Sequence, residues 1–146
     1  MKIDKSTDYV HPLLPPIIDR IEREIIVKHD APFRLFETGR SHDRHQMLLQ
    51  RGKTKDLISM HLYNVENDPP LYATAIDYVY YNGKWSWNLR DGTVSSWYYL
   101  FGNLVLDICP ELQWAGLHRK ATNLNHFELR QSVILDSIET IPCVTK

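Results

Sequence analysis

Three short stretches carry the side chains best suited to chemistry: "SMH" at Ser59 to His61, "AID" at Ala75 to Asp77 and "NLNHFEL" at Asn123 to Leu129. Taken alone, His126 reads as a structural or surface histidine. A strand rich in Leu and Phe has little use for a titratable ring unless the ring is hydrogen-bonded, exposed or holding a metal. Taken together, His61, Asp77 and His126 offer two imidazoles and a carboxylate, a set that suffices for zinc. A catalytic zinc keeps three N or O ligands and leaves its fourth position to water, whose pKa it lowers toward about 7. Spacing alone is unspecific here, because the three residues are scattered from position 61 to 126 and seven histidines allow many accidental triplets.

Several elements must position these groups. Ile17, Ile18, Ile21 and Ile25 recur at helical spacing behind Pro15 and Pro16, which predicts an amphipathic helix from about Pro16 to Lys28 with its stripe in the core. After "HDAP", the segment "FRLFETG" reads as a strand that delivers Arg40 and Ser41 to its far end. Ser41 then caps a helix of about ten residues, "SHDRHQMLLQRG", which Gly52 ends. From Leu71, "LYATAIDYVYY" reads as a strand, Asn82-Gly83 as a type I′ turn, and "KWSW" as the antiparallel return. Ala73, Ala75, Asp77 and Val79 share one face of that strand, so a carboxylate stands among small and apolar neighbours and wants a partner. Val94, Trp97, Tyr98, Phe101, Leu104, Val105 and Ile108 mark the buried stripe of a long helix ended by Pro110. "ELQWAG" and "NHFELR" follow as two short strands, and the tail from Gln131 gives a mixed signal.

The chain has 146 residues, the length of one domain able to bury a core without disulfides or a structural metal. With 17 basic and 18 acidic residues there is no electrostatic footprint for nucleic acid and no basic run for a membrane surface. No apolar run reaches the roughly 18 residues of a membrane span, and "MKIDKSTDYVHPLLPP" lacks a signal-peptide core, so a soluble product made in the cytoplasm is expected. Cys109 and Cys143 are isolated and expected to be reduced, which leaves zinc-thiolate chemistry aside.

From Phe33 to Leu129, about two thirds of its length, the sequence resembles the VanY-type D,D-carboxypeptidases and phage L-alanyl-D-glutamate peptidases. The likeness is carried, in order, by Arg40-Ser41 after a strand, "RHQMLLQRGKT", Ser59-Met-His61, Ala75-Ile-Asp77, Trp114-Ala-Gly116 and His126-Phe-Glu128. It implies a compact α+β domain, a small antiparallel sheet carrying a zinc site and flanked by helices, spanning residues 1–146 as one unit. It further implies that His61, Asp77 and His126 hold Zn2+, that Arg40 binds substrate or stabilises an oxyanion, and that Ser41 and Ser59 line the substrate site. The implied substrates are the peptide stems of bacterial peptidoglycan. The implied setting is a monomeric phage endolysin, held in the host cytoplasm and acting on the cell wall after release, with no nucleic-acid or membrane partner.

Two departures stand out. "LYNVENDPPLYAT" separates the Ser-x-His from the Ala-x-Asp and reads as an inserted loop, 62–74. The acidic acid/base of the family lies three residues before the last histidine, where this chain has Asn123, and an amide cannot accept a proton as a carboxylate does. Three accounts stay open: an introduced inactivation, a natural loss that leaves a zinc-dependent binder of wall peptides or of a partner protein, or another acid in its place. Glu128 comes first among such acids, ahead of Glu66 and Asp68, which read more simply as solvated loop charges. His42, His45 and His118 are expected to stand outside the metal site.

Overall fold

The computed structural model describes residues 3–54, 59–117 and 123–139. The isoleucine stripe forms helix α1, Leu14–Ile21, which runs on through a π-helical segment, Glu22–Val27, close to the expected end. Leu14, Ile17, Ile18, Ile21 and Ile25 are all buried. Strand β1, Phe33–Glu37, leads to helix α2, His42–Gln50, whose first turn is capped as expected: the Ser41 side chain accepts from the Arg44 N–H. Strand β2, Ala75–Tyr81, is followed by β3, Trp85–Ser86, then the long helix α3, Gly92–Ile108. Strands β4, Leu112–Trp114, and β5, His126–Leu129, complete the sheet, and helix α4, Gln131–Glu139, fills the tail, whose residues show no clear period. The fold is α+β, a small antiparallel sheet flanked by helices.

Two expectations need correction. The strand expected from Leu71 begins at Ala75, because residues before it leave the sheet to make isolated bridges, Ala73 with Val10 and Leu71 with Asn64. The hairpin turn is not type I′. Tyr81 faces Trp85, leaving a three-residue loop in which Gly83 (φ +78) is left-handed and Asn82 is not.

Strand β2 is the hub. Tyr80 pairs with Phe33 on one side and Ser86 on the other, and Asp77 pairs with Glu37 on one side and His126 on the other. Cross-strand neighbours share a face. Ile76, Tyr78, Tyr80 and Phe127 therefore face α1 and α3 in the core, while Ala75, Asp77, His126 and Glu128 face the opposite way. Both faces are covered at β2, whose residues from Ala75 to Tyr80 are all buried, so the period-two polarity of a half-exposed strand is missing. A bulge in β1 shifts the register between Leu35 and Glu37. Without it, alternation would place Glu37 on the core face with Leu35; with it, Glu37 stands beside Asp77.

Trp114 anchors the approach to β5. Its indole N–H donates to the Leu124 carbonyl at 2.8 Å, and a Cβ built on either Gly102 or Gly116 would run into the ring. Gly102→Ala is expected to destabilise the fold by about 1–3 kcal/mol, the usual cost of overpacking a tight contact. Urea denaturation measures this, and a variant as stable as the parent would show that the indole has room to move.

Half-buried Glu22 supplies a pH test. Burial pushes its carboxyl pKa up, against the hydrogen bond it accepts from the Tyr78 hydroxyl at 3.0 Å. A carboxyl raised in the folded state favours folding while protonated, and that contribution is lost as pH rises through its folded pKa. Glu22→Gln keeps an oxygen for Tyr78 and removes the charge. Thermal melts are expected to show the variant above the parent at pH 7, with the gap closing near pH 4.

Candidate metal centre

The side chains of His61, Asp77 and His126 converge although they come from a loop and two strands. Asp77 and His126 are delivered by direct cross-strand pairing of β2 with β5. His61 is delivered by a turn in which the Ser59 hydroxyl accepts the His61 N–H at 3.2 Å and the Ser59 carbonyl accepts the Leu62 N–H at 3.1 Å. The His61 carbonyl then accepts the Arg40 N–H at 2.6 Å, tying the turn to the end of β1.

Three atoms form a triangle. His61 Nε2 and His126 Nδ1 each lie 3.1 Å from Asp77 Oδ1 and 3.3 Å from one another. A tetrahedral zinc with bonds of about 2.0–2.1 Å separates its ligand atoms by about 3.3–3.4 Å, so this triangle has the right size. The chemistry of the rings fits as well. His61 Nδ1 lies 2.7 Å from the Thr38 carbonyl, which can only accept, so Nδ1 carries the proton and Nε2 presents a lone pair to the cluster. His126 Nε2 lies 3.4 Å from Glu128 Oε2, which favours its proton there and a lone pair at Nδ1. The His61, Asp77 and His126 set is the group of metal-ligating type found among the described residues.

The Asp77 and Glu128 carboxylates favour positive charge on His126, carried by a proton on Nδ1 that a metal ion bound there would displace. Burial disfavours charge on His126, but hydrogen bonds to Asp77 and Glu128 outweigh it and lift its pKa to about 9. Burial likewise opposes the Asp77 carboxylate, yet the two imidazoles hold its pKa well below the usual carboxylate range. Glu128 is also lowered, first by its bond to His126, and its second oxygen accepts from the Gln113 side chain.

A cavity of about 280 Å³ opens over the cluster, lined by Arg40, Lys53, Thr54, Ser59, Asn123 and Glu128 together with the three cluster residues. Asn123 is exposed there, held by the hydrogen bond from the His126 N–H to its carbonyl at 3.2 Å. Ser41 does not line this cavity; its side chain caps α2 and borders a neighbouring hollow with His42, Tyr63 and Glu66. Glu66 and Asp68 are exposed and away from the cluster cavity. The 62–74 loop itself is anchored, with Leu62 bridged to Arg40, Asn64 to Leu71, and Tyr63 stacked on Tyr9 at 4.2 Å. His45 is buried outside the three-residue cluster and touches Arg40 through Nδ1 at 3.3 Å, backing the cavity wall. His118 lies outside the described residues.

Sequence reasoning passed over Glu37. It is 1 % exposed and grips two cations, Arg40 Nε at 2.6 Å and Arg44 Nη2 at 2.9 Å. Burying a carboxylate is tolerable only with such partners. An acidic residue ending an aromatic strand, three positions before Arg40, was the available signal.

The fold is that of a solved peptidase structure. The crystal structure of Serratia marcescens L-Ala D-Glu endopeptidase ChiX matches with a TM-score of 0.59 over 84% of this chain and 81% of that one, at 24% sequence identity. No protein-family model matches the sequence, and no curated protein does.

Proposed function

We propose that the chain is a zinc-dependent peptidase of bacterial peptidoglycan stems, of the L-alanyl-D-glutamate endopeptidase or D,D-carboxypeptidase type. The observation that carries this reading is the triangle of His61 Nε2, Asp77 Oδ1 and His126 Nδ1, with each imidazole's other nitrogen bonded to an oxygen acceptor. That it sits on the fold of an L-Ala D-Glu endopeptidase points to the substrate class. His61, Asp77 and His126 would hold the ion. Zinc bound there supplies a Lewis acid and lowers the pKa of water enough to make a nucleophile near neutral pH.

The chain's own groups do the rest. Arg40, fixed by Glu37 and by its backbone bond to His61, presents a guanidinium to the cavity for the oxygen of the amide under attack. Ser59 shapes the turn that presents His61 and lines the cavity. Glu128 orients His126, and with both carboxylate oxygens engaged it is a poor proton acceptor. The position suited to move a proton between the attacking water and the leaving amine is 123, and its carboxamide cannot do so.

Asn123 therefore favours a second reading, a zinc domain that binds wall peptides without cutting them. Digestion of purified muropeptides with zinc-loaded protein, followed by mass spectrometry, separates the two. Cleavage between L-Ala and D-Glu, or loss of a terminal D-Ala, supports the peptidase; retention of intact peptides without turnover supports the binder; absence of both binding and cleavage rules out each.

A further inference from the structure

We propose that Lys53 recognises a carboxylate on the bound peptide, a role that sequence similarity would have left to Arg40. The inference rests on the peptidoglycan reading for the identity of the ligand. Among the described residues, Arg40 and Lys53 are the Lys and Arg side chains that line the cavity over the cluster, and their circumstances differ. Arg40 is committed: Nε donates to Glu37 at 2.6 Å, Nη1 lies 3.3 Å from His45, and the backbone N–H is bonded to His61. Its guanidinium is held in one orientation against the buried Glu37 carboxylate, whose other oxygen Arg44 grips. It can offer a directed donor to a neutral oxygen, while part of its charge is offset by the Glu37 carboxylate it holds.

Lys53 is exposed, and among the described residues its ammonium has no hydrogen bond or ion pair. Its backbone is nonetheless placed. Gly52, with φ +65, ends helix α2 in the left-handed region that glycine favours, and the Lys53 N–H closes the turn onto the Leu48 carbonyl at 2.9 Å. A fixed Cα with a free ammonium suits an anion that arrives with the substrate. Among the described residues, the two acids that line the cavity do not compete, since Asp77 is taken by the imidazoles and Glu128 by His126 and Gln113.

The occupant is defined by stem-peptide chemistry. D-glutamate in the stem is extended through its γ-carboxyl, so its α-carboxylate stays free, one residue from the L-Ala–D-Glu amide. Where that group is amidated, the charge is gone and a neutral carboxamide stands in its place. Lys53 would therefore make the site discriminate between acidic and amidated stems, while Arg40 serves the amide carbonyl.

The test is calorimetric titration of the zinc-loaded full chain with L-Ala-γ-D-Glu-L-Lys and with the same tripeptide carrying an α-carboxamide on D-Glu. The parent is expected to bind the carboxylate form about tenfold more tightly, a preference that shrinks at high salt. Lys53→Arg keeps the preference, and Lys53→Met brings the two affinities together at unchanged zinc content. A parent that does not discriminate, or a Lys53→Met variant that still does, overturns the inference while leaving the peptidase reading in place. Failure of the parent to bind either peptide removes both.

Discussion

Alanine at His61 or His126 is expected to abolish stoichiometric zinc binding and any peptidase activity with it, whereas His29→Ala and His42→Ala should retain about one zinc per chain. In the proposed zinc site each cluster histidine would supply one of three ligand atoms, and a site with two would keep neither the affinity nor the geometry. His61 should be the more damaging of the two to stability. Its Nδ1–H bond to Thr38 is buried, and truncation leaves that carbonyl unpaired at about 1–3 kcal/mol, besides the stabilisation that bound metal gives the folded state. Elemental analysis of protein purified without chelators, with thermal melts before and after chelation, measures both effects. Full zinc in His126→Ala would show that the cluster is a hydrogen-bonded triad and not a metal centre.

The second large effect is a gain. Asn123→Asp should raise the rate on peptidoglycan by about a hundred- to ten-thousandfold, the usual contribution of a positioned proton shuttle, with zinc content nearly constant. Position 123 lines the cavity but lies outside the ligand triangle, and the turn joining its carbonyl to His126 holds it close to the reacting groups. A carboxylate there can accept a proton from water and return it to the leaving amine; the amide can do neither. Steady-state hydrolysis of a stem peptide by both proteins gives the ratio. Equal rates would move the acid/base role elsewhere in the cavity, and an inert Asp variant would favour the peptide-binding reading.

How much of this was legible in the sequence depends on whether a feature is local. Ser41 as a cap, Gly52 as a stop and the isoleucine stripe of α1 are each set by neighbours three or four residues away, and all three appear where expected. The convergence of His61, Asp77 and His126 was expected only from the resemblance, through the order of its motifs, since spacing cannot show that residues 61, 77 and 126 meet. Glu37 was missed because its orientation depends on a bulge, and plain alternation assigns it to the wrong face. The type I′ turn failed for a related reason: Asn-Gly permits that turn, but the pairing of Tyr81 with Trp85 decides the loop length. The Leu71 to Thr74 stretch has the composition of a strand and is diverted by longer-range partners, Val10 and Asn64, that no local pattern reveals. Ser41 illustrates the limit of motif transfer, because its hydroxyl caps α2 and borders a different hollow, while Ser59 both shapes the His61 turn and lines the cluster cavity.

The row Glu37–Asp77–His126 across β1, β2 and β5 has a bearing on folding fidelity. Strand registers one residue apart differ little in backbone hydrogen bonding, but a one-residue slip of β5 against β2 turns every side chain over. In a slipped sheet Phe127 or Asn125 would stand opposite Asp77, and the two imidazoles could no longer share one oxygen. In the proposed reading, zinc held by the paired arrangement alone would select it from the alternatives by mass action. Chains refolded with zinc present would then reach the native pairing in higher yield than chains given the metal afterwards, making the ion a proofreader of strand alignment as well as a reagent.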